Sequence, residues 1–256
     1  MTAGTVSVIG LGPGDPRYLT PAAAAALAAA TDIVGYGPYV DRVPAQSGQR
    51  RHPSDNRVEV DRARAALDLA AGGARVAVVS GGDPGVFAMA AALFEAYETD
   101  PARWRDVGIH VEPGITAMLA AAARIGAPLG GDFCAMSLSD NLKPWEVILH
   151  RLDAALSADF VIALYNPISR ARPWQLGEAL KRVAAARPAA TPVVFARAVG
   201  RADEAVRILT AASAAAAAAG ADMATLVLIG ASTTRLVARE SGEAFVYTPR
   251  SVGTRP

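Results

Sequence analysis

Val76-Ala77-Val78-Val79-Ser80-Gly81-Gly82-Asp83-Pro84-Gly85-Val86-Phe87 is the stretch whose reading decides the fold. Its first four residues are three valines and an alanine, which predicts a short strand buried on both faces of a parallel sheet. Two glycines and an acid follow, and an Ala/Met-rich helix is predicted to begin at Pro84, which suits a first helical turn. Glycines without side chains would let a ligand approach the main chain. A strand, a bare turn with one carboxylate and a helix in sequence build small-molecule sites at the carboxyl ends of strands in open α/β sheets.

The same grammar recurs on both sides. Val6–Ile9 predicts a first strand running into Gly10-Leu11-Gly12-Pro13-Gly14-Asp15-Pro16, and a helix is predicted after it, with Thr20 as N-cap and Pro21 at its first position. Asp32–Gly37 and Val107–Val111 predict further strands, the latter leading into Glu112-Pro113-Gly114-Ile115-Thr116-Ala117. Ile125–Gly131 is rich in turn residues and is the expected domain boundary, giving domains at 1–125 and 132–248. Strands are expected at Phe133–Leu138, Phe160–Tyr165, Pro192–Ala196, Val206–Leu209, Ala224–Ile229 and Ala244–Tyr247, with helices between them. The alternation gives the α/β class with largely parallel sheets.

Composition narrows the function. The 256 residues include 25 basic and 24 acidic ones, a balance that lacks the basic field needed for nucleic-acid binding. The apolar runs Ala22–Ala30 and Ala214–Ala219 are too short and too alanine-rich to span a bilayer, so no membrane association is expected. No signal peptide is expected, and the single cysteine, Cys134, points to a reducing cytoplasm. His52, His110 and His150 share no metal-ligand spacing, and no metal is expected. The Gly10–Asp15 loop imitates a dinucleotide fingerprint but fails it. Its third glycine is replaced by Asp15, Pro13 and Pro16 block a helix start, and no acid ends the second strand. Strand exits made of small residues recognise a ligand by backbone polarity and supply few acid–base groups, which favours a reaction in which the cofactor carries the reactivity.

Gly10–Pro16, Ser80–Phe87 and Glu112–Ala117, in this order and spacing, resemble the tetrapyrrole (corrin/porphyrin) methylases, S-adenosylmethionine-dependent enzymes of cobalamin and sirohaem synthesis. The resemblance spans about the whole chain. Ser137–Trp145 and Tyr165–Arg172 resemble the branch that methylates C17 of precorrin-3B and contracts the macrocycle. The resemblance implies two α/β domains with largely parallel sheets, an active site in the cleft between them, and a homodimer. It implies a site for S-adenosyl-L-methionine, and for its product S-adenosyl-L-homocysteine, from Pro13, Gly81, Asp83, Val86, Thr116, Ala117, Leu164, Tyr165, Arg197, Ala224, Thr225 and Leu226. Two departures stand out. Gly85 occupies a position where many relatives carry a bulky residue, and many relatives have a proline near Met223.

For the substrate, an acid-fringed macrocycle, the expected contacts are Asn141, Asn166, Ser169, Arg170 and Arg172, since arginine binds carboxylates bidentately. Tyr36 and Tyr39 either pack on the sheet edge or touch substrate. Methyl transfer to a ring carbon needs no protein nucleophile, whereas ring contraction needs proton movement. Asp15 or the Asp140, Asn141 and Lys143 cluster is the expected acid–base group, with turn capping the competing role for Asp15 and Asp83. The alternatives are a methylase of the same fold acting at another position, and a non-catalytic tetrapyrrole carrier.

Overall fold

The computed structural model describes residues 3–56, 58–240 and 244–251. The chain divides into two units, Met1–Thr116 and Ala117–Pro256. Unit 1 contains β1 (Thr5–Gly10), α1 (Pro21–Ala29), β2 (Asp32–Tyr36), α2 (Gly37–Val40), β3 (Arg50–Ser54), α3 (Glu59–Ala71), β4 (Arg75–Ser80), α4 (Met89–Thr99), α5 (Pro101–Trp104) and β5 (Gly108–Glu112). The strands pair in the order β3-β2-β4-β1-β5, every neighbour parallel. Val6, Val8, Val76 and Val78 face α3 and α4, and Ile9, Ile33, Ala77 and Val79 face α1 and α2. Coverage of both faces is why these strands read as unbroken apolar runs. Thr20 accepts the Ala23 N–H at 3.1 Å and Pro21 opens α1, as expected.

The helix expected at Pro84 begins instead at Met89. Asp83 Oδ1 accepts the Gly85 N–H at 2.8 Å, closing an Asx turn, and Phe87 lies in the left-handed region at φ 52°. The Asx turn rests on a bond that an N-cap also makes, but a left-handed residue cannot continue a right-handed helix, so Phe87 stops it there. β3, Arg-Arg-His-Pro-Ser, carries no apolar alternation and escapes sequence reading; it is held at the edge by Arg50 and His52, which bind the buried Asp32 carboxylate at 2.8–2.9 Å.

Unit 2 contains α6 (Ala117–Ile125), β6 (Gly126–Ala127), β7 (Phe133–Ser137), α7 (Trp145–Ser157), β8 (Val161–Tyr165), α8 (Gln175–Ala186), β9 (Pro192–Arg197), β10 (Ala205–Thr210), α9 (Ala211–Ala214), β11 (Thr225–Ile229), β12 (Arg235–Ala238) and β13 (Ala244–Tyr247). α6 packs Met118, Ala121 and Ile125 against Leu226, Leu228 and Val246. It therefore belongs to unit 2, and the division falls before it rather than at the turn-rich Ile125–Gly131.

The second sheet, β10-β9-β11-β8-β7, is mixed. β7 and β8 are parallel, while β11 runs antiparallel to β8 and β9, and β10 antiparallel to β9. The first sheet is parallel throughout and the second only at β7–β8; for the β9–β10 pair the reason is local. Only residues 198–204 join β9 to β10, too few for a parallel crossover. The alanine tract forms α9 and a 3-10 turn ending at Gly220. β12, β13 and β6 form a small separate sheet. No helix among the described residues is long and apolar enough to cross a membrane.

Candidate functional site

In unit 1 the exits of β1, β4 and β5 meet at backbone contact. Gly12 and Gly82, at φ 65° and 67°, exchange N–H···O bonds of 3.1 and 3.0 Å. A Cβ on Gly114 would lie 2.2 Å from the Gly82 carbonyl oxygen, and one on Gly10 would lie 2.7 Å from Gly114 Cα. These glycines let the three turns pack on one another. Gly81 behaves alike, because a Cβ there would strike the Tyr39 ring at 2.8 Å. Space beside these glycines, read from sequence as bare room for a ligand, is filled by the chain itself. Pro13 within the junction is buried, and Val86 is half-buried.

Asp83 stitches this junction. Beside its bond to Gly85, Oδ2 accepts the Gly114 N–H at 3.0 Å. Arg42 donates through Nη2 to the carbonyls of Leu11 and Gly12 at 2.9 and 3.0 Å. Arg42 was not legible in sequence, since a single arginine in the turn after α2 carries no pattern. Asp15 caps the 3-10 turn Pro16–Tyr18 and grips Arg17 through two side-chain bonds of 3.0 and 2.8 Å. The Arg17 guanidinium and backbone N–H hold its carboxyl below the usual range, which makes Asp15 a weak base. Tyr36 and Tyr39 pack edge to face at 5.6 Å beside the junction. Thr116 is buried at the end of the unit.

In unit 2 the last residues of β7, β8 and β9 and the first of β11 lie along one end of the sheet: Ser137, Tyr165, Arg197 and Thr225. The Tyr165 hydroxyl accepts the Met118 N–H at 3.0 Å, in the first turn of α6 next to Ala117. Leu164 and Leu226 are buried in the core on opposite faces of the sheet, so each offers a ligand only its backbone. Arg197 is held by Asp222 at 2.8 Å and by Asp203 at 2.8 Å, and both carboxylates raise its pKa. Burial pushes Asp222 up, but Arg197, Thr225 and the Ala224 N–H more than offset this and leave its carboxyl below the ordinary value. Asp222 Oδ1 also accepts from Thr225 Oγ1 at 2.8 Å and from the Ala224 N–H at 3.0 Å. Asp222 was missed in sequence; its signal is the Asp-x-x-Thr spacing of a capping turn.

Two loops leave β7 and β8. Asn166, left-handed at φ 50°, donates from Nδ2 to Ser137 Oγ at 2.9 Å. Ser169 and Arg172 exchange backbone bonds of 3.2 and 3.0 Å, leaving Arg170 exposed at the loop tip. Arg172 is 6% exposed and bound to the chain's own carbonyls, so its guanidinium faces inward rather than toward a substrate. Asn141 is exposed and Lys143 half-buried. Burial, helped by Arg151, pulls the Lys143 ammonium below its ordinary pKa. Asp140 lies under the loop and accepts from Gln175.

A sequence profile of the tetrapyrrole (corrin/porphyrin) methylases matches residues 5–215, and the chain belongs to that family. Within it, the chain is 57% identical over 96% of both sequences to a Precorrin-3B C(17)-methyltransferase of a Sinorhizobium species. The crystal structure of the methyltransferase CobJ superposes with a TM-score of 0.91 at 51% identity, covering 96% of this chain and 100% of that one. A probable cobalt-factor III C(17)-methyltransferase of Salmonella typhimurium is 41% identical over 96% of this chain and 98% of its own.

Proposed function

We propose that the protein transfers the methyl group of S-adenosyl-L-methionine to C17 of precorrin-3B, with ring contraction to precorrin-4 in cobalamin biosynthesis, and releases S-adenosyl-L-homocysteine. The observation that carries this reading is the 57% identity, end to end, to a Precorrin-3B C(17)-methyltransferase. The reading also makes the enzyme a cytoplasmic homodimer acting on a small molecule. Higher identity to that relative than to the cobalt-factor relative, 57% against 41%, favours the metal-free macrocycle over the cobalt form.

The donor brings an electrophilic methyl group on a sulfonium. The assignment is supported by three strand exits of main chain, held together at backbone contact with few titratable groups, since a sulfonium donor needs positioning rather than acid–base help. In unit 1, Pro13, Gly81, Asp83, Val86 and Thr116 are assigned to it. In unit 2, Ala117, Leu164, Tyr165, Arg197, Ala224, Thr225 and Leu226 are assigned. Asp83 acts by fixing the turns rather than by touching the donor, since both its oxygens are bonded to backbone N–H groups. Arg170, Asn141, Ser169, Asn166 and the tyrosines Tyr36 and Tyr39 are assigned to the macrocycle, with the exposed Arg170 binding a carboxylate.

Of the acid–base candidates, Lys143 suits ring contraction best. Its lowered pKa brings the neutral amine closer to working pH, whereas Asp15 is paired with Arg17 and Asp140 is turned toward Gln175. Incubation with precorrin-3B and methyl-labelled S-adenosylmethionine, with the product read by NMR, tests the reading. Label at C17 of a contracted ring supports it, and label elsewhere or no turnover refutes it. Lys143→Met is expected to slow contraction by about 10²–10⁴-fold while methyl transfer persists; a variant that contracts at the normal rate removes Lys143 from the chemistry.

A further inference from the structure

Beneath the two loops of unit 2 lies a buried polar knot. Arg172 donates through Nη1 to the carbonyls of Asn166 at 3.1 Å and Leu138 at 3.4 Å, and Nη2 faces Met223 Sδ at 3.9 Å. Its Nε stands 3.7 Å from Asp140 Oδ1. Gln175, 1% exposed at the start of α8, donates to the other oxygen of Asp140 at 3.2 Å. The Gln175 Oε1 is buried with no hydrogen-bond partner. An orphaned acceptor destabilises, and a methionine of similar volume would fill the place without that penalty. Asn166 stores a second strain in its left-handed backbone while being tied on both sides, to Arg172 and to Ser137. Two unfavourable features under one pair of loops indicate a function other than stability.

We infer that Arg172 and Gln175 are positioning residues: they fix the 138–144 and 166–171 loops through Asp140 and Asn166, and so set the spacing of Lys143 and Arg170 against the carboxylates of the macrocycle, without touching it. The inference rests on the precorrin-methylating reading above. Asp140 links the two loops, receiving Arg172 from one and Gln175 from the helix that follows it. A shift of Gln175 moves the exposed groups above without a contact to Arg197, Asp222 or Thr225, whereas Arg172 also meets Met223 in the turn that holds Thr225.

The test uses the full chain with Gln175→Met and Arg172→Lys. Gln175→Met is expected to bind S-adenosylhomocysteine, measured by calorimetry, within twofold of the parent. In both variants the KM for precorrin-3B should rise about 10-fold through the displaced Arg170, and contraction should slow against methyl transfer by about 10-fold or more through the displaced Lys143. Gln175→Met should unfold in urea at an unchanged or higher midpoint. A purely structural role predicts the reverse, a lower midpoint with unchanged KM. The near-ultraviolet dichroism of Trp145 and Trp174, stacked edge to face at 5.1 Å beside Gln175, should change in both variants. An unchanged KM in both variants, or donor affinity and KM collapsing together in Gln175→Met, overturns the inference. Should the parent chain bind S-adenosylhomocysteine and yet leave precorrin-3B untouched, the functional reading fails. The tryptophan signal then decides separately whether Arg172 and Gln175 hold the loops, and an unchanged signal overturns that as well.

Discussion

Gly114→Ala probes the junction of strand exits at its tightest point. The new methyl carbon would sit 2.2 Å from the Gly82 carbonyl oxygen and 2.9 Å from Gly10 Cα, where ordinary contact begins near 3.4 Å. Both obstacles are backbone, so no side chain can swing aside. Relief requires the 80–84 turn to move by about 1 Å, and that movement breaks the 3.1 Å bond from the Gly12 N–H to the Gly82 oxygen. Overpacking of this kind destabilises by about 1–3 kcal/mol and the lost hydrogen bond by about 1 kcal/mol, so about 2–4 kcal/mol is expected. Gly37→Ala is the control, since a Cβ there meets nothing within 4 Å. It should be neutral or stabilise by a few tenths of a kcal/mol. Urea unfolding followed by circular dichroism measures both, and calorimetry with S-adenosylhomocysteine measures the consequence for the donor, expected to bind at least about 10-fold more weakly to Gly114→Ala. Wild-type stability together with wild-type affinity in that variant would refute the claim that close approach of these turns builds the donor site.

Further outcomes follow from the charged groups. Burial raises the Asp32 carboxyl, but Arg50, Thr31 and His52 outweigh it and bring the pKa down to about 2. A depressed carboxylate stabilises the fold above its unfolded pKa near 3.9, and that contribution disappears as pH falls toward 2. Asp32→Asn should therefore lose about 2 kcal/mol at pH 7 and show a flatter decline in stability between pH 4 and 2; an unaltered acid limb in urea titrations rules this out. Asp222→Asn, which loosens Arg197 and the start of β11, should weaken S-adenosylhomocysteine binding by about 10-fold in calorimetry while KM for the macrocycle stays within a few-fold. Arg170→Ala should show the opposite pattern, a KM for precorrin-3B raised about 10-fold with donor affinity intact.

Much of the first unit was legible because its physics is local. Val6–Ile9 and Val76–Val79 announce buried strands, and Thr20-Pro21 announces a helix start. The turn after β4 was legible as a turn, with Asp83 a candidate cap, but not in its length, because nothing in the sequence marks Phe87, a bulky residue that ordinarily avoids positive φ, as left-handed. β3 was invisible because Arg50 and His52 are recruited by a buried acid on a neighbouring strand, a tertiary effect with no periodic signature. The antiparallel β9–β10 pair of unit 2 depended on the span between these strands and not on the strands themselves. The proposed site shows the same split: Arg197 and Tyr165 are assigned to it by resemblance, whereas Asp222, Arg42 and Gln175 bond to other residues of the chain and leave no motif.

The crowding of Gly10, Gly82 and Gly114 against one another has a consequence for how the protein can diversify. A recognition surface made of peptide groups presents nearly the same face whichever side chains drift around it. On the proposed reading, the exposed loops 138–144 and 166–171 can then be rebuilt for a differently decorated ring while the glycine-knitted half stays as it is. A deep mutational scan should accordingly show a few intolerant glycines in the first half and a broad, graded tolerance at Asn141, Ser169 and Arg170 when selection is for donor binding alone.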